Sequence, residues 1–376
     1  MQLHSYTTAK KVARLAKFVD FIGIDYSGAE TADSSLKGLR VYRASLDAEA
    51  QEIPPPPSPK RYWTRRGLAD WLVSTLENAP RTLVGIDHGF SFPKAYFDRH
   101  GLEADWETFL IDFKQFWPTD ERYTYVDFAR YGRNPTGMMR QGERKWRRRT
   151  EIAAGSAKSV FHFDVQGSVA KSTHAGLPWL LFVRRALRER VHFWPFDGWT
   201  PDPTKHVIAE VYPRLWNAQF PAHDRTPDQH DAYSVATWLR DADAKGELAN
   251  LFEPTLPAPA RALAAYEGWI LGVTSDVVEV GKKRKSTKQK VHRTEGGSVP
   301  TDLQTYRNTT TPGFINRNNQ VVIRSTGFAG NDHHQKVFVL HCAVCDAVYG
   351  ANGSDIHLRK CPACQGGAPG LRFRPA

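Results

Sequence analysis

The first 341 of the 376 residues contain no cysteine. That excludes a disulfide framework for the main body and points to a reducing, cytoplasmic setting. Long apolar runs are missing too: none reaches the roughly 18 residues of a membrane span, so no membrane partner is expected. The opening "MQLHSYTTAKKVARLAKF" is basic but has no continuous apolar stretch, and export is not expected from it. No Walker A pattern and no internal repeat occur. Acidic residues are in deficit, 40 against 51 Lys plus Arg, which gives a formal charge of +11 and favours polyanionic partners.

What is present alternates. Strand signals at 18–28 ("FVDFIGIDYSG"), 39–46, 81–89 ("RTLVGIDHG") and 206–213 ("HVIAEVYP") are interleaved with helical periodicity at 66–78 and from Thr226 onward. Strands alternating with helices imply an α/β layered domain. "IPPPPSP" (53–59) reads as a stiff exposed loop.

Basic residues gather in three segments, 140–149, the helical stretch 179–190 ("WLLFVRRALRER") with one basic side, and 281–293. The run 140–149, "RQGERKWRRR", holds six Lys or Arg, and Arg144, Lys145, Arg147, Arg148 and Arg149 are candidate nucleic-acid contacts. Lys171 is a candidate phosphate contact or a plain surface lysine. From 281, "GKKRKSTKQKVHR" has seven Lys or Arg and no acid; Lys282, Lys283, Arg284 and Lys285 belong to what reads as a flexible basic linker.

All four cysteines lie in the last 35 residues, as Cys342-x2-Cys345-x15-Cys361-x2-Cys364. Two such knuckles at this separation indicate a tetrahedral four-thiolate zinc site. Four thiolates leave no open position, so the zinc would be structural. The module resembles a zinc ribbon over some 40 residues.

The other chemistry is carboxylate. In "DQHDAYSVATWL", Ala232, Val235, Ala236 and Leu239 form a buried helical stripe, and Asp231 precedes Val235 by one turn. Thr226 and Gln229 make a capping box with Pro227 at the first position, which by itself explains Asp228 as a first-turn acid. Asp231 has no such explanation, and an inward carboxylate costs several kcal/mol, roughly, unless paired or metal-bound. Two strands offer companions. Phe21, Gly23 and Asp25 share one face, as do Leu83, Gly85 and Asp87, and each acid ends its strand. Glu210 ends a third; it either completes a metal shell or positions Tyr212 and the turn.

"GIDYSG", "GIDHGFSFP", "EVYP" and "DQHDAYSVA", in this order, resemble the domain-of-unknown-function 429 family of predicted nucleases, within the RNase H-like superfamily. The last motif is also similar to the terminal helix of RuvC-type resolvases. The resemblance spans about residues 18–273. It implies a mixed sheet flanked by helices, with Asp25 on the first strand, Asp87 on the fourth and Asp231 on the closing helix as metal ligands beside Asp228. Hard oxygen donors suit Mg²⁺ or Mn²⁺, and two such ions about 3.5–4 Å apart could cleave a phosphodiester. Resolvase-type sites carry Glu where this chain has the shorter Asp87, which leaves a single-ion or water-bridged site open. The expected organisation is an RNase H-like domain over 1–278 with a basic insertion near 118–200, a basic linker over 279–312 and a zinc ribbon over 313–376. The expected activity is nucleic-acid hydrolysis, on DNA or RNA. A non-catalytic nucleic-acid binder is a second reading, countered by acids gathered where a polyanion must dock. An actin-like ATPase or kinase is a third; its paired strand-turn motifs would not lie only 62 residues apart, as Asp25 and Asp87 do.

Overall fold

The computed structural model describes residues 17–132, 135–163, 168–275, 309–310, 312, 314–331 and 335–373. The chain divides into two compact units, Met1–Gly281 and Lys282–Ala376.

The larger unit is built on a six-stranded sheet of β1 (Asp20–Asp25), β2 (Arg40–Ser45), β3 (Ala48–Glu52), β4 (Thr82–Asp87), β5 (Val191–Trp194) and β6 (His206–Glu210), in the order β3-β2-β1-β4-β6-β5. β1, β2 and β3 form an antiparallel meander, while β4, β6 and β5 run parallel to β1. The inner strands are apolar on both faces because both are covered. Nine helices were found among the described residues: α1 (Arg65–Asn78), α2 (Lys94–His100), α3 (Trp106–Phe116), α4 (Val126–Tyr131), α5 (Arg149–Ala153), α6 (Ala170–Leu187), α7 (Pro227–Ala244), α8 (Leu248–Phe252) and α9 (Ala258–Glu267).

Each sheet face has its own core. Ile22, Ile24, Val84, Ile86 and Ile208 pack with residues of α1, α3 and α6, including Leu72, Phe113 and Leu180. On the other face, Phe21, Leu83, Val207 and Ala209 meet Val235, Ala236 and Leu239 of α7. Val235 and Leu239 are fully buried, and each such side chain contributes about 1.5–3 kcal/mol of burial. The expected strands and the helices at 66–78 and from Thr226 are all present. The segment 118–200 is not wholly an insertion, because it supplies α6 and β5 to the layered core. Nor is α7 the last helix, since α8 and α9 follow.

Within the smaller unit, β7 (Gln320–Ala329), β8 (Lys336–Cys342) and β9 (Val348–Asn352) form an antiparallel sheet in the order β7-β8-β9. Its core is small: Val322, Leu340, Tyr349, Ala351 and Ile356 surround the buried Cys342 and Cys361. Of the expected linker 279–312, only residues 309, 310 and 312 are among those described. Lys282, Lys283, Arg284 and Lys285 lie outside them.

Candidate functional site

Backbone register sets the first pair of carboxylates. β1 and β4 are parallel neighbours in which Gly23 lies opposite Gly85, and Asp25 opposite Asp87. The two glycines, side by side, admit α7. A Cβ on Gly23 would stand 2.2 Å from the Ala232 carbonyl oxygen, and one on Gly85 would stand 2.7 Å from Val235. Because that face is stripped of side chains, α7 settles against the backbone and its first turns reach the strand ends. The capping box fixes where the helix starts: the Thr226 side chain accepts from the Gln229 amide, and the Gln229 carboxamide accepts from the Thr226 amide.

Asp228 and Asp231 thereby join Asp25 and Asp87. Burial, then the charges of Asp87, Asp228 and Asp231, push Asp25 well above the usual carboxylate range; only the Tyr26 amide opposes this. Burial, then Asp231 and Glu210, do the same to Asp87. Asp228 is raised by burial and Asp231, against the pull of Arg40 and Lys37. Among the described residues, no Lys or Arg is in ion-pair contact with any of these four acids. Asn217 donates to Asp231 at 2.8 Å, and the same residue's carbonyl lies 3.1 Å from His230 Nε2, so the turn before α7 orients its ligand face.

Glu210 stands at the end of β6, beside β4, yet its situation differs. Arg148 grips both its oxygens, at 2.7 and 2.5 Å, and the Phe90 amide donates to one of them at 2.9 Å. Arg148 also donates to Glu151 at 2.9 Å. Glu210 is therefore already neutralised and saturated by protein, which favours its positioning role over a place in a metal shell. The same contacts correct the reading of Arg148 as a nucleic-acid contact: its side chain is 1% exposed. Arg147 is also turned inward, with its guanidinium on the carbonyls of Glu151 and Ala157. Arg144, Lys145 and Arg149 are exposed. Lys171, in the first turn of α6, pairs with Asp127 at 2.7 Å. Its backbone is so close to the loop after β1 that a Cβ on Gly28 would stand 2.1 Å from it.

Tyr26 and His88, next after the two strand acids, point to the opposite face. Their rings meet edge to face at 4.6 Å. Burial lowers His88 to about 4, so it is neutral at ordinary pH, with Nδ1 2.9 Å from the Gly89 carbonyl.

The sulfur cluster is tighter. Among the described residues, Cys342, Cys345, Cys361 and Cys364 form the one group of potential metal ligands whose donor atoms all lie within 4.8 Å of one another. The Cys342–Cys364 and Cys345–Cys361 sulfurs are each 3.6 Å apart. Gln320 donates to Cys342 Sγ at 3.4 Å, and the Ala363 amide to Cys361 Sγ at 3.3 Å. Burial pushes the Cys342 thiol up, but donors from Gln320, Val344 and Cys345 outweigh it and bring it down to about 6. Four convergent sulfurs with amide donors behind them fit a thiophilic ion such as zinc. The carboxylates stand wider apart than this and offer only oxygen, which fits a hard, hydrated cation.

No protein-family model, curated protein or solved structure matches this chain. No helix of the described residues is long and apolar enough to cross a membrane.

Proposed function

We propose that the larger unit is a metal-dependent nuclease of RNase H-like fold that hydrolyses phosphodiester bonds, and that the cysteine cluster is a structural zinc site. One observation carries the first part. Asp25 and Asp87 sit side by side at the ends of adjacent parallel strands, Asp228 and Asp231 are brought beside them by α7, and among the described residues no Lys or Arg makes an ion pair with any of the four. Raising several buried carboxylates together costs stability, and a site that binds a divalent cation recovers that cost on loading. A mixed sheet flanked by helices, with the acids at the C-terminal ends of adjacent parallel strands, supports the RNase H-like reading.

Asp25, Asp87 and Asp231 would hold Mg²⁺ or Mn²⁺, with Asp228 at the entrance beside Lys37 and Arg40. The bound ion supplies Lewis acidity and an activated water. The wide spacing of the carboxylates favours ligation partly through water. The protein's own contribution is positional. Asn217 aims Asp231, and Arg148 holds Glu210 at the end of β6 through both its oxygens. The exposed Arg144, Lys145 and Arg149 supply positive charge for the strand backbone, while Lys171 is committed to Asp127. The smaller unit, with the basic segment before it, would add affinity for nucleic acid.

The decisive experiment is cleavage of single-stranded, duplex, hybrid and branched substrates with Mg²⁺ or Mn²⁺. Asp25→Asn and Asp231→Asn should each lose activity by about 100-fold or more, and Asp228→Asn by less. Equal activity of wild type and both variants on every substrate would end the nuclease reading. ATP hydrolysis lost in the same variants would replace it with the ATPase reading.

A further inference from the structure

The larger unit also holds a cleft of about 660 Å³, formed by the proline turn 55–59, Lys60, Tyr62, Trp63, Arg66 and Arg122. Its size is within the roughly 300–1,000 Å³ of small-ligand sites. Aromatic and proline surfaces form one part of the lining, and cations the other. Asp33 is the one carboxylate in the lining, and it is committed to Arg66 at 2.8 Å. Arg122 is exposed and has no carboxylate partner among the described residues.

The cleft connects to the acids through one side chain. Arg40 lies over the Tyr62 ring, 4.9 Å from its centroid. Arg40 is also the cross-strand partner of Asp25 and the leading counter-charge acting on Asp228. The loop that carries Gly38, 3.4 Å from Asp228 by its added Cβ, also carries Ser35, which accepts from the Tyr62 amide at 2.9 Å. The exposed Arg61 also lies over that ring, 5.3 Å from its centroid, and a base stacking there takes its place.

We infer that this cleft is a subsite for one unpaired nucleotide of the substrate strand, with its base against Tyr62 and the prolines and its phosphate against Lys60 and Arg122. The inference rests on the nuclease reading only in taking nucleic acid as the partner. Stacking surfaces joined to a cationic rim are what a single strand needs, because every base has a π-face and the backbone charge is uniform. A duplex keeps its bases stacked on each other and gains nothing from such a cleft. The cleft therefore makes the preferred substrate single-stranded, or single-stranded next to the scissile bond.

The test is fluorescence anisotropy of the full chain with a labelled single-stranded oligonucleotide, a blunt duplex of the same sequence and a mononucleotide, in buffer with no added Mg²⁺ or Mn²⁺ and no chelator, so that nothing is cleaved and the cysteine site keeps its ion. Tyr62→Ala should weaken single-strand binding by about 5- to 100-fold, with little change in its salt dependence, and Tyr62→Phe should retain wild-type affinity. Arg122→Ala should lower the slope of log affinity against log salt by about 1. Duplex binding should be unchanged in all three. If Tyr62→Ala and Arg122→Ala bind the single strand as wild type does, or lose both substrates equally, the subsite is refuted. A mononucleotide that binds as tightly as the oligonucleotide would refute it too, by making the cleft a free-nucleotide pocket. Because binding is read without cleavage, failure of the subsite and failure of the nuclease reading give different results.

Discussion

The two candidate metal sites are opposite solutions to gathering like-charged ligands. The four sulfurs come from two short turns 22 residues apart at most, converge within 4.8 Å and have amide donors behind them. The four carboxylates come from β1, β4 and α7, are separated by up to 206 residues of sequence, stand wider apart and push one another's proton affinity upward. A local site can be tight because its turns are small and carry little else. A site assembled from sheet and helix takes its spacing from the packing of a whole domain. The first is suited to holding one ion permanently. The second is suited to an ion that exchanges and to a substrate that must enter.

That contrast can be broken in three places. The largest effect is expected at the sulfurs. The described core of the smaller unit is small, and zinc binding in zinc-finger modules supplies about 10–16 kcal/mol of folding free energy at neutral pH. Cys361→Ser, or a strong chelator, should therefore abolish amide protection across β7–β9 in hydrogen exchange while β1 and β4 stay protected. Retained protection in β8 would show that the sulfurs hold no structural ion.

Next comes the neutralised acid. Arg148→Met removes a buried cation and leaves Glu210 and Glu151 uncompensated, at a cost of about 3–5 kcal/mol. In denaturant unfolding, the Arg148→Met/Glu210→Gln double variant should recover part of that loss. No recovery would mean that Arg148 acts through packing rather than charge.

The smallest effect has the opposite sign. Asp87 binds its proton more tightly in the folded state than its ordinary value of 3.8 allows. Its ionisation therefore costs stability above the raised value, and the cost fades as pH falls toward about 4. Without divalent cations, Asp87→Asn should raise stability at pH 7–8 by about 0.5–2 kcal/mol, and the gain should vanish near pH 4. Melting curves across that range check it. A pH-independent gain, or a loss at pH 8, would remove the electrostatic explanation.

Legibility followed the same division. The thiol site could be read from spacing because all its geometry is local. The strand acids could be read because alternation and the Gly-Ile-Asp pattern fix both face and position, and α7 because its cap is written in Thr226, Pro227 and Gln229. Short elements were not legible. β3, "AEAQE", has no β pattern and exists because β2 offers an edge; β5, "VHFW", is a four-residue strand held by β6. Arg148 was concealed by its neighbours. A run of six basic residues in ten reads as solvated, and only the fold reveals that one of them crosses 62 positions to grip Glu210. Asn217 had no signal either, because it acts through where its turn ends.

Gly23 and Gly85 show that the carboxylate site waits for α7 to land on bare backbone, and that helix is written late. Asp231 follows Asp87 by 144 positions, which at about 5–20 residues per second take a ribosome roughly 7–30 s to make. During that interval the nascent chain carries two strand acids but no complete centre. If the proposed activity is right, the chain emerging beside messenger and ribosomal RNA is inert until Asp231 has been synthesised.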